Sequence, residues 1–327
     1  MAGEFDLIAR YFNWPTQSDS VELSVGDDAA ITHLSPNHSL VVSVDTLVSG
    51  VHYPEDTPIE DVAYKALAVN ISDLAAMGAE PRWFTLALTL PEYNEAWLES
   101  FSFGLKKAAS EYGVDLIGGD TTRGSQTITI QIMGEVENGK ALRRDAAKAG
   151  DVLFTTSALG DGAAGLAVYL EKKSAQSSAQ QAVTQNLKAA RDYCLSQLNT
   201  PTARLLESRI IKQFAHACID VSDGLLQDLG HILKASKLGA VIETNNIPLS
   251  DASVALFGQE KALEFALSGG DDYELLFSVP ESRCDDFTQS MLNSGFACHK
   301  IGVLNDSCGS IKDQHGNPLT PNGFQHF

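Results

Sequence analysis

Nine aspartates stand in short clusters along this chain, and each cluster borders an apolar run of strand or helix character. They are Asp27 and Asp28 in VGDDAA, Asp45 in VVSVDT, Asp73 in NISDLAAMG, Asp120 in LIGGDTT, Asp220 and Asp223 in CIDVSDGL, and Asp271 and Asp272 in SGGDDYELLF. Glycine or serine flanks most of them, and few Lys or Arg residues do. Carboxylates gathered in this way repel one another unless cations hold them. Hard oxygen ligands suit Mg²⁺, which keeps part of its water and bridges to phosphate oxygens. The pattern therefore constrains the fold to one that ends strands and starts helices around a metal-loaded, phosphate-handling cleft.

With 327 residues, two domains are expected. The net charge of −19 argues against nucleic acid or an anionic membrane as partner, because both require a basic footprint. Apolar runs such as WFTLALTL fall far short of the ~20 residues of a membrane span. MAGEFDLIARYF carries acids but no basic or apolar leader, and it reads as a short amphipathic helix. Five cysteines without a CxxC spacing read as reduced thiols in a cytoplasmic chain.

Residues 21–31 and 39–47 read as strands, the second ending at Asp45. A helix over 58–77 follows, with Thr57 as N-cap, Pro58 in the first turn, Glu60 closing a capping box and Gly78 as the stop. Asp73 shares a helical stripe with Val62, Ala66, Val69 and Met77. An acid there must pair, coordinate or lose its charge; metal coordination is expected, and a salt bridge or a capping role is the simpler alternative. Residues 83–91 read as a strand and 95–112 as a helix. VDLIGGDTT (114–122) reads as a strand breaking into a turn at Asp120. TITIQIMGEV and the segment from Lys140 read as a hairpin around Asn138-Gly139. The domain boundary is expected near 145–151, giving domains 1–145 and 146–327. VLFTTS opens the second domain, and 172–190 reads as a solvated helix or insertion. CIDVSDGLLQDLGHILKAS repeats the strand, Asp, helix theme, followed by Gly239 and strand AVIET. Alternating strands and helices indicate an α/β (α+β) protein with mixed sheets flanked by helices.

Two glycine motifs invite a nucleotide assignment and fail it. GEVENGKA (134–141) lacks the hydroxyl residue of a phosphate loop at Ala141, and a turn at Asn138-Gly139 explains it. GDGAAG (160–165) follows a strand, but no acid-ended strand comes about 20 residues later, and Asp161 would repel a pyrophosphate. A tight turn before a helix fits better, with an accessory phosphate contact left open. His52 is the histidine nearest an acidic cluster; it reads as a satisfied residue or a ligand contact. With no nucleophile constellation, phosphate chemistry falls to the acids.

GEFDLIARYF, VGDDAA, VDTLVSGVHY, AYKALAVNISDLAAMGA, LALTLP, LIGGDTTRG, IDVSDGL, LGHILKAS and SGGDDYEL, in this order, resemble the thiamine-monophosphate kinase family of the aminoimidazole-ribonucleotide-synthetase-like superfamily. The resemblance covers nearly the whole chain and is weakest over 172–190 and 280–320. It implies a two-domain fold, phosphorylation of thiamine monophosphate by ATP with several Mg²⁺ ions, and a homodimer paired through the N-terminal domains. By position it implies metal ligands Asp28, Ser43, Asp45, Asp73, Asp120, Asp220 and Asp223, with the Val44 backbone joining them. ATP contacts would be Gly119, Asp120, Arg144 and Ser222. Thiamine phosphate contacts would be His52, Asp271 and Phe324. Asp45, Asp120 and Arg144 would act at the reacting phosphate, with Arg123 a further candidate.

Three positions depart from the family pattern. Val44 stands where Thr is common, Asp271 where Glu is common, and Phe324 where Tyr or Trp is common, keeping a stacking face without a polar edge. An acceptor phosphate is already largely deprotonated near neutral pH, so direct in-line transfer needs no strong base. Alternatives are a superfamily member that activates an amide or carbonyl oxygen, and a non-catalytic divalent-ion binder.

Overall fold

The computed structural model describes residues 4–175 and 185–323. The chain divides into two compact units. The first comprises Met1–Leu74 with Ala79–Ala141, and the second Ala75–Gly78 with Leu142–Phe327.

The first unit begins with helix α1 (Glu4–Tyr11) and a small ribbon of β1 (Val21–Leu23) and β2 (Ile31–Thr32). Its main sheet joins β3 (His38–Val48), β4 (Glu80–Leu90), β5 (Asp115–Arg123) and β6 (Thr127–Glu137) in the order β3-β6-β4-β5. The β3/β6 and β6/β4 pairs are antiparallel and β4/β5 is parallel, so the sheet is mixed as expected. Its two faces follow from the alternation of β6. Ile128, Ile130 and Ile132 are fully buried, and Thr129 and Gln131 point the other way. The isoleucine row continues into Phe84, Leu86 and Leu88 of β4. Helices α2 (Ile59–Ala76) and α3 (Glu95–Tyr112) complete this half of the fold.

Helix α2 is buried nearly all round, from Val62 through Leu74. The apolar stripe expected from spacing is therefore not a stripe, and Asp73 is a half-buried interruption in an otherwise enclosed helix. Its start also differs. The Thr57 hydroxyl is buried without a hydrogen-bond partner, and Pro58 supplies the first helical carbonyl, to Asp61 and Val62 N–H. The capping box over 57–60 is not formed, because the cap register lies one residue later. Helix α3 matches its expected span, with Asn94 Oδ1 accepting from Trp97 N–H and Gly113 closing it in a left-handed conformation.

Two further expectations are corrected. β5 does not break at Gly118-Gly119; it stays paired with β4 past Asp120 through a bulge opposite Phe84/Thr85. No strand begins at Lys140. Asn138 instead donates its N–H to Asn37 O, because β3 rather than a new hairpin arm is the antiparallel partner of β6.

The second unit contains β7 (Val152–Thr155), α4 (Asp161–Ala175), α5 (Gln185–Asn199), α6 (Leu205–Ile211), β8 (Ala217–Val221), α7 (Leu225–Ser236), β9 (Gly239–Ile242), α8 (Asp251–Ser268), β10 (Glu274–Val279), α9 (Cys284–Asn293), β11 (His299–Asn305) and β12 (Ile311–Asp313). Its sheet runs β12-β9-β11-β7-β10-β8, antiparallel except for the β9/β12 pair. β7, β8 and β10 are buried along their whole lengths, as strands covered on both faces must be. One face packs Leu153, Ile219, Val221 and Leu276 against Leu226, Leu229 and Leu233 of α7. On the other, Phe154 and Phe277 stack with centroids 5.9 Å apart, and Phe287 of α9 meets both rings edge-on. Lys237 takes the left-handed turn that ends α7. Part of the expected 172–190 insertion is helical in α4 and α5, and residues 176–184 lie outside the described residues.

Candidate functional site

In the first unit the sequence candidates fall into two groups. One surrounds a cavity of about 670 Å³ at the β5 end of the sheet, lined by Asp27, Asp28, Gly118, Gly119, Asp120 and Gln131 among others. Asp28 and Asp120 are both exposed there. Gly119 is required for close approach. Its φ is +154°, and a Cβ would lie 1.9 Å from Leu86 O. The GG dipeptide thus lets β5 lie against β4 and still present Asp120 to the cavity.

The other group lies where α2 crosses β3. Ser43 Oγ donates to Asp73 Oδ2, and Asp45 N–H donates to Asn70 Oδ1 at 3.2 Å. Asn70 is itself held by Ala66 O through its amide at 2.9 Å. Ser43 and Asp45 share the helix-covered face, in register with Ile132 and Ile130. Val44 alternates to the open face and is more than half exposed. Because the Asp45 N–H points away from β6, antiparallel alternation turns the Val44 amide and carbonyl into the ladder with Gln131. Geometry thus separates Val44 from Ser43 and Asp45.

Asp45, Ile130, Leu86 and Gly119 form one row across the sheet. Three strand spacings put Asp45 about 14 Å from the Gly119–Asp120 pair. Asp120 pairs with Ala87 on the open face, whereas Asp45 faces the helix. Among the described residues no three His, Cys, Asp or Glu side chains converge on one point. The carboxylates of one unit thus offer separate holding points rather than a single cage. The donors are hard oxygens throughout, carboxylate and hydroxyl, and this chemistry fits Mg²⁺.

His52 sits in the turn after β3. Val48 N–H donates to His52 Nδ1 at 3.0 Å, so that nitrogen carries the lone pair. The buried Lys65 donates from Nζ to the His52 carbonyl at 3.2 Å. Ring and backbone of His52 are therefore both fixed from within the unit.

In the second unit Asp220 is buried near the end of β8, and Ser222 and Asp223 occupy the loop before α7. Asp271 N–H donates to Ser222 O at 2.9 Å, and Tyr273 N–H to Val221 O at 2.8 Å. Asp271 and Tyr273 have left-handed φ values of 68° and 54°, with the Tyr273 hydroxyl 3.2 Å from Asp271 Oδ1. Non-glycine residues adopt this conformation at a cost, and the turn is held in it by its surroundings. Gly323 packs against the Asp223 backbone, since a Cβ there would meet Asp223 O at 2.4 Å. The chain thus returns to this loop just before Phe324, which lies outside the described residues. Arg144 is exposed, with its carbonyl held by Ser236 Oγ at 2.8 Å. The Cys218 thiol is pushed up mainly by burial and further by Asp220, with Arg144 opposing.

One aspartate of the sequence pattern has a structural role, and several other residues at the site escaped that pattern. Asp272, the second acid of the DD pair, is no ligand candidate. It accepts from Gly160 N–H at 2.7 Å and Gly162 N–H at 3.2 Å. The GDGAAG loop therefore spends these N–H groups on an internal carboxylate, which accounts for a phosphate-like glycine pattern in a turn. Loss of solvation pushes Asp272 well above the usual carboxylate range, against these two donors. Asp161 accepts from Ser250 Oγ at 2.5 Å and Tyr193 OH at 3.1 Å, and burial raises it as well. Asp228 accepts from the N–H groups of Ser222, Asp223 and Gly224. The signal for Asp228 was its place four residues after Gly224, in the first turn of α7; for Asn70 and Lys65 no local pattern existed.

The AIR synthase related protein N-terminal domain model matches residues 26–136, and the C-terminal domain model matches 148–313. Thiamine-monophosphate kinase of Escherichia coli strain K12 is 46% identical over 331 residues, 99% of this chain and 98% of that protein. The crystal structure of thiamine-monophosphate kinase from Stenotrophomonas maltophilia K279a superposes with a TM-score of 0.84 at 40% identity, covering 93% of each chain. A solved structure described as AaThiL complexed with AMPPCP and TMP superposes with a TM-score of 0.78 at 30% identity, covering 93% of this chain and 92% of that one.

Proposed function

The chain belongs to the thiamine-monophosphate kinase family, within the AIR synthase related proteins, and from that membership we propose that it transfers the terminal phosphoryl group of ATP to thiamine monophosphate, giving thiamine diphosphate and ADP. The observation that carries this is the alignment of the chain over nearly its full length with these kinases, with Asp45, Asp73 and Asp120 in the first unit and Asp220 and Asp223 in the second at the positions of the Asp set.

Asp28, Gly119 and Asp120 line a cavity whose volume suits a small ligand such as a nucleotide. Ser43, Asp45 and Asp73 form a second holding point, and Asp220 and Asp223 a third. Separated carboxylate groups favour several ions over one. Magnesium, when bound, supplies the positive charge that lets two phosphate groups approach. Arg144 and Ser222 are assigned to ATP. His52, with Nδ1 occupied by Val48 N–H, is assigned to the thiamine phosphate as a neutral imidazole in the Nε2–H form. Asp271, in its left-handed turn, is assigned to the thiamine moiety together with Phe324. In-line attack by an acceptor phosphate oxygen already deprotonated at neutral pH needs no general base. Among the described residues no helix is long and apolar enough to cross a membrane; with the cysteines unpaired, the assigned place of work is the cytoplasm.

Purified protein is expected to form thiamine diphosphate and ADP from thiamine monophosphate and ATP, with chelation of divalent ions abolishing turnover. ADP release that is independent of the acceptor, with no diphosphate by chromatography, rejects the assignment.

The open face of β3 carries Leu40, Val42 and Val44, each about half exposed, beside the Thr46–Thr129 hydroxyl pair. A continuous apolar strip on an edge strand suits a second copy of the same face, in keeping with a homodimer through the N-terminal units. Val44→Asp is expected to shift the protein toward monomer in sedimentation velocity; an unchanged dimer would place the interface elsewhere.

A further inference from the structure

Asp228 is buried in the first turn of α7, and its Oδ2 sits 3.1, 3.0 and 3.1 Å from the backbone nitrogens of Ser222, Asp223 and Gly224. Three consecutive N–H groups converging on one point make the kind of concave nest that elsewhere holds a phosphate or carboxylate ligand. Here the chain supplies the acceptor itself, the Asp228 carboxyl. The arrangement closes on itself, because Asp228 N–H donates to Gly224 O at 3.0 Å.

We propose that Asp228 is the positioning residue of the Ser222–Asp223 loop, its side chain replacing an external anion so that these two side chains are aimed before any substrate arrives. The proposal rests on the kinase assignment for what the loop does, not for how it is held. The three N–H groups of the loop and the carbonyls of Ser222 and Gly224 are all hydrogen-bonded. The Ser222 N–H is taken by Asp228 and its carbonyl by Asp271 N–H. Gly224 has φ +116°, and a Cβ there would meet Ser268 C at 2.8 Å, so the loop is also pressed against the turn before Asp271. Gln227 Nε2 reaches Asp223 Oδ2 at 3.1 Å, fixing one carboxylate oxygen from the same helical turn. The nest turns its N–H groups inward. Substrate anions are therefore left to the side chains of the loop, Ser222 Oγ and the Asp223 carboxylate, the latter by holding a cation if one is bound.

The test pairs Asp228→Ala with Asp228→Asn, which keeps one acceptor oxygen for the nest. In ligand-free protein, hydrogen exchange at the amides of 222–224 is expected to quicken at least about 100-fold in Asp228→Ala, with the amides of β8 unchanged. Misaiming by about 1 Å costs on the order of 100-fold in turnover, so kcat should fall by that amount with KM for thiamine monophosphate changed less than threefold. Asp228→Asn should recover most of both effects. Unchanged exchange at 222–224 in Asp228→Ala overturns the proposal. So does an Asn variant as impaired as Ala while equally well folded by melting. If the wild-type protein has no activity with thiamine monophosphate, the kinase assignment fails, but the exchange result still decides whether Asp228 holds the loop.

Discussion

Asp45→Asn and Asp120→Asn are each expected to lower kcat by about 100- to 1000-fold, the size of effect seen when one preorganised charge partner is removed from a reacting phosphate or oxyanion. The two variants should differ in how they fail. Asp120 lines the cavity with Asp28 and Gly119 and is exposed. Its loss should weaken nucleotide-dependent stabilisation, read as a smaller rise in melting temperature on adding Mg²⁺ and ATP. Asp45 lies in the Ser43–Asn70–Asp73 group, about 14 Å away across three strands. Its loss should leave more of the nucleotide shift in place and act mainly on turnover. Neither side chain is fully buried, so melting without ligand should move by no more than about 0.5 kcal/mol. A variant that melts much earlier in chelator would identify its Asp as a structural partner. Near-normal turnover in either would remove that residue from the site.

The acid motifs were legible because charge, and the Gly or Ser beside it, are local features of a sequence. The SDG before α7 follows the expected strand-to-helix placement, whereas Asp120 stays inside β5. The face on which each acid emerges was not legible. Asp45 and Asp120 read as members of one set, yet the register Asp45–Ile130–Leu86–Gly119 and the pairing of Asp120 with Ala87 send them to opposite sides of a sheet. Strand order β3-β6-β4-β5 is a tertiary choice that no single segment encodes. Capping failed for a similar reason. Thr57 and Glu60 have the spacing of a capping box, but a helix enclosed on all sides starts where packing puts it, and the cap moved to Pro58. The second acid of SGGDDYE could not be separated from the first by inspection. Asp271 sits in a left-handed turn, and Asp272 turns toward Gly160 and Gly162, more than a hundred residues earlier in the chain.

Arg204→Met is expected to destabilise the second unit strongly. Arg204 grips Glu274 with two nitrogens, Nε to Oε2 at 2.8 Å and Nη2 to Oε1 at 2.5 Å. Thr156 Oγ1 donates to the same carboxylate and accepts from Leu275 N–H at 3.0 Å. Glu274 is buried, and burial pushes its carboxyl above the usual range even with the guanidinium opposing. Removing the arginine strands a buried acid, a change that costs about 3–5 kcal/mol and on the order of 10 °C in melting temperature. The deficit should depend on pH with a definite sign. A carboxyl whose folded pKa is raised holds its proton more tightly in the native state, so stability is retained below the unfolded value near 4 and falls as pH rises through the folded value. Without Arg204 the folded value climbs further, so the loss should be small near pH 4 and grow toward neutral pH. Arg204 Nη1 also meets the buried Glu207 at 3.5 Å. Glu274→Gln placed on the Arg204→Met background therefore removes the closer of two stranded charges and should restore a large part of the stability at pH 7. Because β10 begins at Glu274, one residue after the Asp271–Tyr273 turn, the double variant should also recover substrate binding lost in the single one. A pH-independent deficit, or no rescue by Gln, would mean that Arg204 acts through packing of its stem rather than through the buried carboxylate.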